Sequence, residues 1–167
     1  MNYMLTVKYL TNQLTGPDDV NRRGFCSGFL HGLKAGDQIA CYLRSAQNFH
    51  LPEGPASEIP LIFIAAGCGI APFRSFWQQK VFEFEEFKTT SPINLYLGCR
   101  DEETDFLRSE TDPLEGKVMK RYSAYSRMET RPKEYVQDKV REHGQQIFTD
   151  IFLKQGRIYV CGQVGIA

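Results

Sequence analysis

Hydrophobic and polar positions change rhythm twice along the chain. Residues 3–10 alternate, with Tyr3, Leu5, Val7 and Tyr9 on one face and Met4, Thr6, Lys8 and Leu10 on the other, the period of two that predicts a strand. Thr15-Gly16-Pro17-Asp18-Asp19 reads as a loop. A short helix is expected over 26–33 and a second strand over 38–43, with Cys41 in its core. Leu51-Pro52-Glu53-Gly54-Pro55 then interrupts the pattern. We place a domain boundary there, dividing 1–55 from 56–167.

Beyond the boundary, strands and helices alternate. The unbroken apolar character of 59–66 predicts a strand buried on both faces. Phe73, Phe76, Trp77, Val81, Phe84 and Phe87 recur at helical spacing and predict a helix over 71–87 lying on the sheet. Short strands follow at 93–97 and 118–125. Pro132 suits the first turn of a helix running to 142, residues 146–153 continue helical, and Gly156 stops them. A last strand covers 157–161. Such alternation implies right-handed crossovers and an α/β fold, a doubly wound parallel sheet with helices on both faces.

Composition narrows the chemistry. Twenty basic and twenty acidic side chains cancel, so no global field favours nucleic acid or anionic lipid, and recognition of a phosphate must be local. Five cysteines, an odd number without C-x-x-C pairing, and three scattered histidines lack metal-ligand spacing and a disulfide framework. Free thiols point to a reducing, cytoplasmic setting. The longest apolar run, 61–66, is too short to span a bilayer. The sequence starts within one predicted strand and stops shortly after another, which suggests a fragment.

In an open parallel sheet, ligands bind beyond the carboxyl ends of the strands. Those ends read Ala65-Ala66-Gly67-Cys68-Gly69, Gly98-Cys99-Arg100, Ser126-Arg127 and Cys161-Gly162. Taken singly, each is equally an ordinary turn; four together point to a ligand site. Gly67, Cys68 and Gly69 precede a helix start, where glycine lets backbone approach a phosphate and free N–H groups attract anions, although a tight strand-to-helix turn accounts for the same residues. Ser126, Arg127, Lys133, Tyr135 and Gln137 form the strongest cluster. Guanidinium, ammonium and hydroxyl groups suit a dianionic phosphate beside a stacked base, which would select NADPH over NADH; a solvated helix start is the alternative. Cys161 is either a polarizable neighbour for a nicotinamide or a core thiol. Gly24, Phe25, Cys26 and Ser27 open the short helix, where a pyrophosphate or a simple serine cap both fit.

Together these motifs resemble the ferredoxin–NADP reductase-like module of the diflavin reductases, and within that family the reductase region of the nitric oxide synthases. The resemblance rests on Gly24-Phe25-Cys26-Ser27, Phe49-His50-Leu51-Pro52, the run from Gly69-Ile70-Ala71-Pro72 through Gln79, Leu97-Gly98-Cys99-Arg100, and Tyr159-Val160-Cys161-Gly162. Tyr125-Ser126-Arg127 with Pro132 before Lys133 favours the synthases over the microsomal NADPH–cytochrome reductases. The resemblance implies that residues 1–55 are the end of an FAD domain, a partial antiparallel β-barrel, and 56–167 an NADPH domain. Tyr9, Gly24, Phe25, Cys26 and Ser27 would touch FAD. Arg127, Lys133, Tyr135 and Gln137, with Ser126, would bind the 2′-phosphate end of NADPH, Gly67, Cys68, Gly69 and Arg100 the rest, and Cys161 would sit at the nicotinamide.

The implied parent carries FMN and haem, an FMN domain in the same chain, and possible calmodulin control; the 167 residues alone are expected to show little turnover. Three departures stand out. Cys68 occupies a position where the family has a threonine, Ala65 replaces a glycine, and Gln163 stands where an acid is usual. They leave open a nucleotide-binding module without catalysis, and a diflavin reductase with another acceptor remains the nearer alternative.

Overall fold

The computed structural model describes residues 11–12, 22–23, 25–42, 47–52, 59–105 and 107–162. The predicted strand at 3–10, the loop at 15–19, and Tyr9, Gly24 and Gln163 lie outside the described residues. The chain divides into two compact units, Met1–Gln47 and Asn48–Ala167.

In the first unit, β1 (Thr11–Asn12) pairs antiparallel with β2 (Arg22–Arg23), and α1 spans Phe25–Gly32. The strand expected at 38–43 is not found: among the described residues, 38–42 join no ladder. Extended chain becomes a strand only when a neighbour takes its N–H and C=O groups, and these residues pair with no described strand. Cys41, read as core, is exposed.

The second unit is an α/β sandwich. β3 (Leu61–Ala66), α2 (Ala71–Phe87), β4 (Ile93–Cys99), α3 (Arg108–Thr111), β5 (Met119–Tyr125), α4 (Val136–Glu142), α5 (Gly144–Phe148) and β6 (Arg157–Cys161) follow in order. The four strands lie in the order β5-β4-β3-β6, and all three pairings are parallel. β3 is thus bonded on both edges. Period-two alternation divides its side chains between two cores. Leu61, Phe63 and Ala65 pack with Phe73, Trp77, Leu95 and Leu97 under α2. Ile62 and Ile64 pack with Tyr96, Val136 and Ile147 under α4 and α5. Burying each large side chain contributes about 1.5–3 kcal/mol, so the unbroken apolar strand is stable only with both faces covered.

The first core is aromatic. Phe63 stacks on Phe73 with centroids 4.7 Å apart. Phe49 lies 5.5 Å from Phe76 and from Tyr159, and the Tyr159 hydroxyl donates to the His50 carbonyl at 2.8 Å. The stripe predicted on α2 therefore meets the sheet, but Phe87 at its end is exposed. The apolar pattern also hid a charged pair on that helix: Lys80 and Glu83 are buried, 2.7 Å apart, with Gln79 donating to the second Glu83 oxygen at 3.1 Å.

The helix expected from Pro132 begins later, at Val136. The Glu134 N–H donates to the Tyr125 carbonyl at 3.0 Å, a tertiary bond that keeps 132–135 extended along the end of β5. The Tyr135 N–H donates to the Asp138 carboxylate at 2.9 Å, so Tyr135 caps the helix instead of entering it. Farther on, helix α5 widens into a π turn at Thr149–Leu153, secured by buried Asp150. Its carboxylate accepts from Gln146 and Lys154, each at 2.9 Å, and from Asn94 at 3.3 Å, while its carbonyl accepts from Gly156 N–H at 2.7 Å. The chain leaves the helix there, where glycine was expected to stop it.

A buried ion pair joins β5 to the segment after β4. Arg121 donates to Asp105, whose side chain is fully buried. The Tyr125 hydroxyl donates to the same carboxylate oxygen at 3.1 Å, and Arg121 also donates to Thr111 at 3.0 Å. Arg121 keeps a second, exposed partner in Asp112 at 3.2 Å, but loss of Asp105 removes the buried one, and breaking a buried pair costs roughly 3–5 kcal/mol. Asp105→Ala is expected to destabilise the chain by that amount in urea unfolding, whereas Arg141→Ala, in an exposed pair with Asp138, should change little. Equal midpoints for the two variants would contradict the account.

Candidate functional site

The order β5-β4-β3-β6 means that the chain steps outward from β3 to β5 and then returns to the other side of β3. The carboxyl ends of β3 and β6 flank this reversal, the place where open α/β sheets form a ligand crevice. Ala65 and Cys161 are paired across it.

From β3 the chain turns tightly through Gly67–Ile70 into α2. Gly67 has φ +55 with open space where a Cβ would stand, a left-handed conformation that favours glycine. Gly69 has ordinary φ but no room: a Cβ there would lie 2.0 Å from the Cys161 carbonyl oxygen and 2.8 Å from Gly162 Cα. The two glycines therefore serve different needs, one conformational and one steric. Cys68 between them is exposed and Cys161 half-buried. Burial pushes the Cys161 thiol above its ordinary range, and Cys68 adds to the rise. At the neighbouring strand end, the buried Cys99 thiol is pushed up to about 12 by burial and then by Asp105; it is a core thiol.

The ends of β4 and β5 are tied together. Ser126 N–H donates to the Cys99 carbonyl at 3.0 Å, and Arg127 N–H to the Arg100 carbonyl at 2.7 Å. The Ser126 hydroxyl reaches the Cys99 carbonyl at 3.3 Å. Arg100 opens a rigid turn in which Thr104 Oγ1 accepts from the N–H groups of Arg100 and Asp101 at 3.2 Å each. Both arginines are exposed. Beside them the extended 132–135 segment brings Lys133 and Tyr135, with the ammonium 5.4 Å from the ring centroid, a cation–π contact. Gln137 lies in the first turn of α4 and is exposed. Gly98, expected as a ligand-side glycine, has a packing reason: a Cβ there would lie 3.2 Å from Val136 Cβ, so its absence lets α4 start close over β4.

Of the candidate residues, Arg100, Ser126 and Arg127 are thus linked through backbone, Lys133 and Tyr135 lie along the same strand end, and Gly67, Cys68, Gly69 and Cys161 meet at the β3–β6 crevice. Phe25, Cys26 and Ser27 belong to α1 in the other unit; Phe25 is almost wholly exposed. A shallow apolar hollow of about 460 Å³ lies over the sheet, lined by Ile64, Val136, Gln137, Val140, Arg141 and Gly144. Among the described residues no group of three or more metal-ligating side chains is found, and no helix is long and apolar enough to cross a membrane. Sequence reading missed the Asp105–Arg121–Tyr125 network that supports the β5 end; a charged residue inside a strand was its one signal.

A parallel sheet of this topology with glycine and cationic side chains gathered at its carboxyl ends defines a nucleotide-binding domain of the doubly wound class. The oxidoreductase NAD-binding domain family matches residues 63–167, and the chain belongs to that family. It is similar over its whole length to inducible nitric oxide synthase of Canis lupus familiaris, at 39% identity over 100% of the chain and 15% of that protein. It is 40% identical to the inducible nitric oxide synthase of Sus scrofa over 98% of the chain and 14% of that protein. Nitric oxide synthase of Drosophila melanogaster is 37% identical over 96% of the chain and 12% of that protein. The chain therefore spans only a small part of the length of these relatives. A crystal structure of a mutant ferredoxin–NADP⁺ reductase from Plasmodium falciparum with 2′P-AMP shares the fold, with TM-score 0.68 and 24% identity, covering 86% of this chain and 57% of that one.

Because the Gly69 contact is made by backbone on the other side, no rotamer change relieves it. Gly69→Ala is expected to force β3 and β6 apart at their ends and to lower the unfolding free energy measured in urea by about 2 kcal/mol or more, the scale of overpacking. Gly144→Ala, where nothing lies within 4 Å of the added carbon, should not. A Gly69→Ala chain as stable as the parent would show that the contact is not close-packed.

Proposed function

We propose that this chain is the NADPH-binding part of a reductase of the nitric oxide synthase type, with residues 1–55 as the end of its FAD domain. The chemistry that the bound cofactors supply is hydride transfer from NADPH to FAD, with electrons passing on to FMN and haem in the longer protein, where arginine yields nitric oxide. This chain's own residues bind and orient. Arg127 and Lys133 neutralise a 2′-phosphate, Ser126 and Gln137 donate to it, and Tyr135 offers a ring face to the adenine. Gly67, Cys68, Gly69 and Arg100 hold the remainder of the dinucleotide, and Cys161 lies at the nicotinamide. Tyr9, Gly24, Phe25, Cys26 and Ser27 contact FAD. The FMN domain of the same parent chain and calmodulin acting through the parent are the expected partners, in the cytoplasm.

The observation that carries most weight is the pairing of the two strand ends, Arg127 N–H on the Arg100 carbonyl at 2.7 Å. It roots two exposed guanidinium side chains on neighbouring strand ends, in a protein with formal net charge +0. A local cationic patch of that kind suits a dianion, and arginine's fixed fork matches a phosphate better than a lysine alone. The replacement of a family threonine by Cys68 favours the second reading, a module that holds nucleotide weakly or not at all, since a thiol is a poor donor.

Calorimetric titration separates them. The chain is expected to bind NADP⁺ at least tenfold more tightly than NAD⁺, and Arg127→Ala to remove most of that preference. Equal affinities for the two nucleotides, or no binding to a folded chain, would favour the inert module.

A further inference from the structure

Two cysteines lie at the neighbouring carboxyl ends of β3 and β6. Cys161 ends β6 beside Ala65 of β3, and three residues past Ala65 the turn presents Cys68. Gly69, the next residue, is seated on the backbone of Cys161 and Gly162 with no space for a Cβ. Cys68 therefore immediately precedes the residue that touches the end of β6. Cys68 also adds to the effect of burial that raises the Cys161 thiol. Cys99 is buried, two strand positions from β6 in the sheet order, and Cys26 and Cys41 belong to the other unit.

We propose that Cys68 and Cys161 are a redox pair that forms a reversible disulfide across the β3–β6 crevice and so closes it to the nicotinamide end of a dinucleotide. The oxidant class is a peroxide. Exposed Cys68 meets it first: the Cys68 thiolate sulfur attacks one peroxide oxygen, the O–O bond breaks, and one water leaves after protonation. Cys161 sulfur then attacks the resulting sulfenic sulfur, the S–O bond breaks, and a second water leaves. Two thiols lose two electrons and two protons, and one peroxide becomes two waters. A dithiol reductant reverses the bond by exchange. Formation of the disulfide is independent of the reading given above for the site; its effect on nucleotide binding rests on that reading.

The test uses the full 167-residue chain. After treatment with hydrogen peroxide and blocking of remaining thiols with N-ethylmaleimide, peptide mass spectrometry is expected to find Cys68 linked to Cys161, with Cys26 and Cys41 alkylated. Dithiothreitol should restore both thiols. Cys68→Ser and Cys68→Thr should each abolish the linked peptide and leave Cys161 alkylated. Cys161 still alkylated in the peroxide-treated parent chain, or linked as often to Cys26 or Cys41, would overturn the pair. Titration with NADP⁺ reads the consequence: peroxide should weaken binding at least tenfold in the parent chain, reversibly, and leave the affinity of Cys68→Thr the same before and after treatment. A linked peptide with undiminished NADP⁺ affinity would overturn closure. If the reduced chain binds no NADP⁺, the fault lies with the proposed nucleotide site, and the linked peptide alone decides the disulfide.

Discussion

The seating of Gly69 on the end of β6 is the contact from which the site geometry follows. Parallel strands in a doubly wound sheet need helices on both faces, and the connection that returns the chain from β5 to β6 leaves a gap in connectivity beside β3. Here the backbone of the turn after β3 is pressed onto Cys161 and Gly162. The carboxyl ends of the two strands, Cys68, and the start of α2 are thereby fixed relative to one another. A side chain at 69 would prise them apart, so the residue type is set by sterics before any ligand is considered.

The charges divide into two groups by burial. Asp105 and Arg121 lie inside the structure and share hydrogen bonds with Tyr125 and Thr111, which makes them a brace for the β5 end. Arg100, Arg127 and Lys133 are exposed at the strand ends, where an arriving anion would find them. Exposed cations in high dielectric contribute little to folding. The proposed nucleotide site would give these cations a role that folding does not, and the brace beneath them supports the strand end on which they stand.

How much of this was legible depended on whether the signal was local. The apolar run of β3 and the helical spacing of α2 announced themselves because each buries a continuous face. Gly67 and Gly69 fit a phosphate loop or a tight strand-to-helix turn equally in sequence, and the structure shows the tight turn, with Gly69 required by a strand nearly a hundred residues later and Gly98 by Val136 of α4. No local pattern carries such information. The pairing of Asp105 with Arg121 is hidden for the same reason, and Lys80 with Glu83 was masked by the aromatic stripe around it. The start of α4 was misplaced because Pro132 is a permissive helix opener. The deciding groups were the Asp138 carboxylate and the Tyr125 carbonyl, which hold Tyr135 and Glu134 outside the helix. The predicted strand at 38–43 had the right composition but, among the described residues, no partner.

The central claim, that nucleotide binds across the carboxyl ends of β3, β5 and β6, is tested most directly by amide NMR of the chain titrated with NADP⁺. The account predicts shifts concentrated at residues 67–70, Arg100, 126–127, 133–137 and 161–162, reaching both the cationic cluster and the Cys68–Cys161 crevice. Shifts confined to the hollow around Val140 and Gly144, or none in a folded chain, would contradict it.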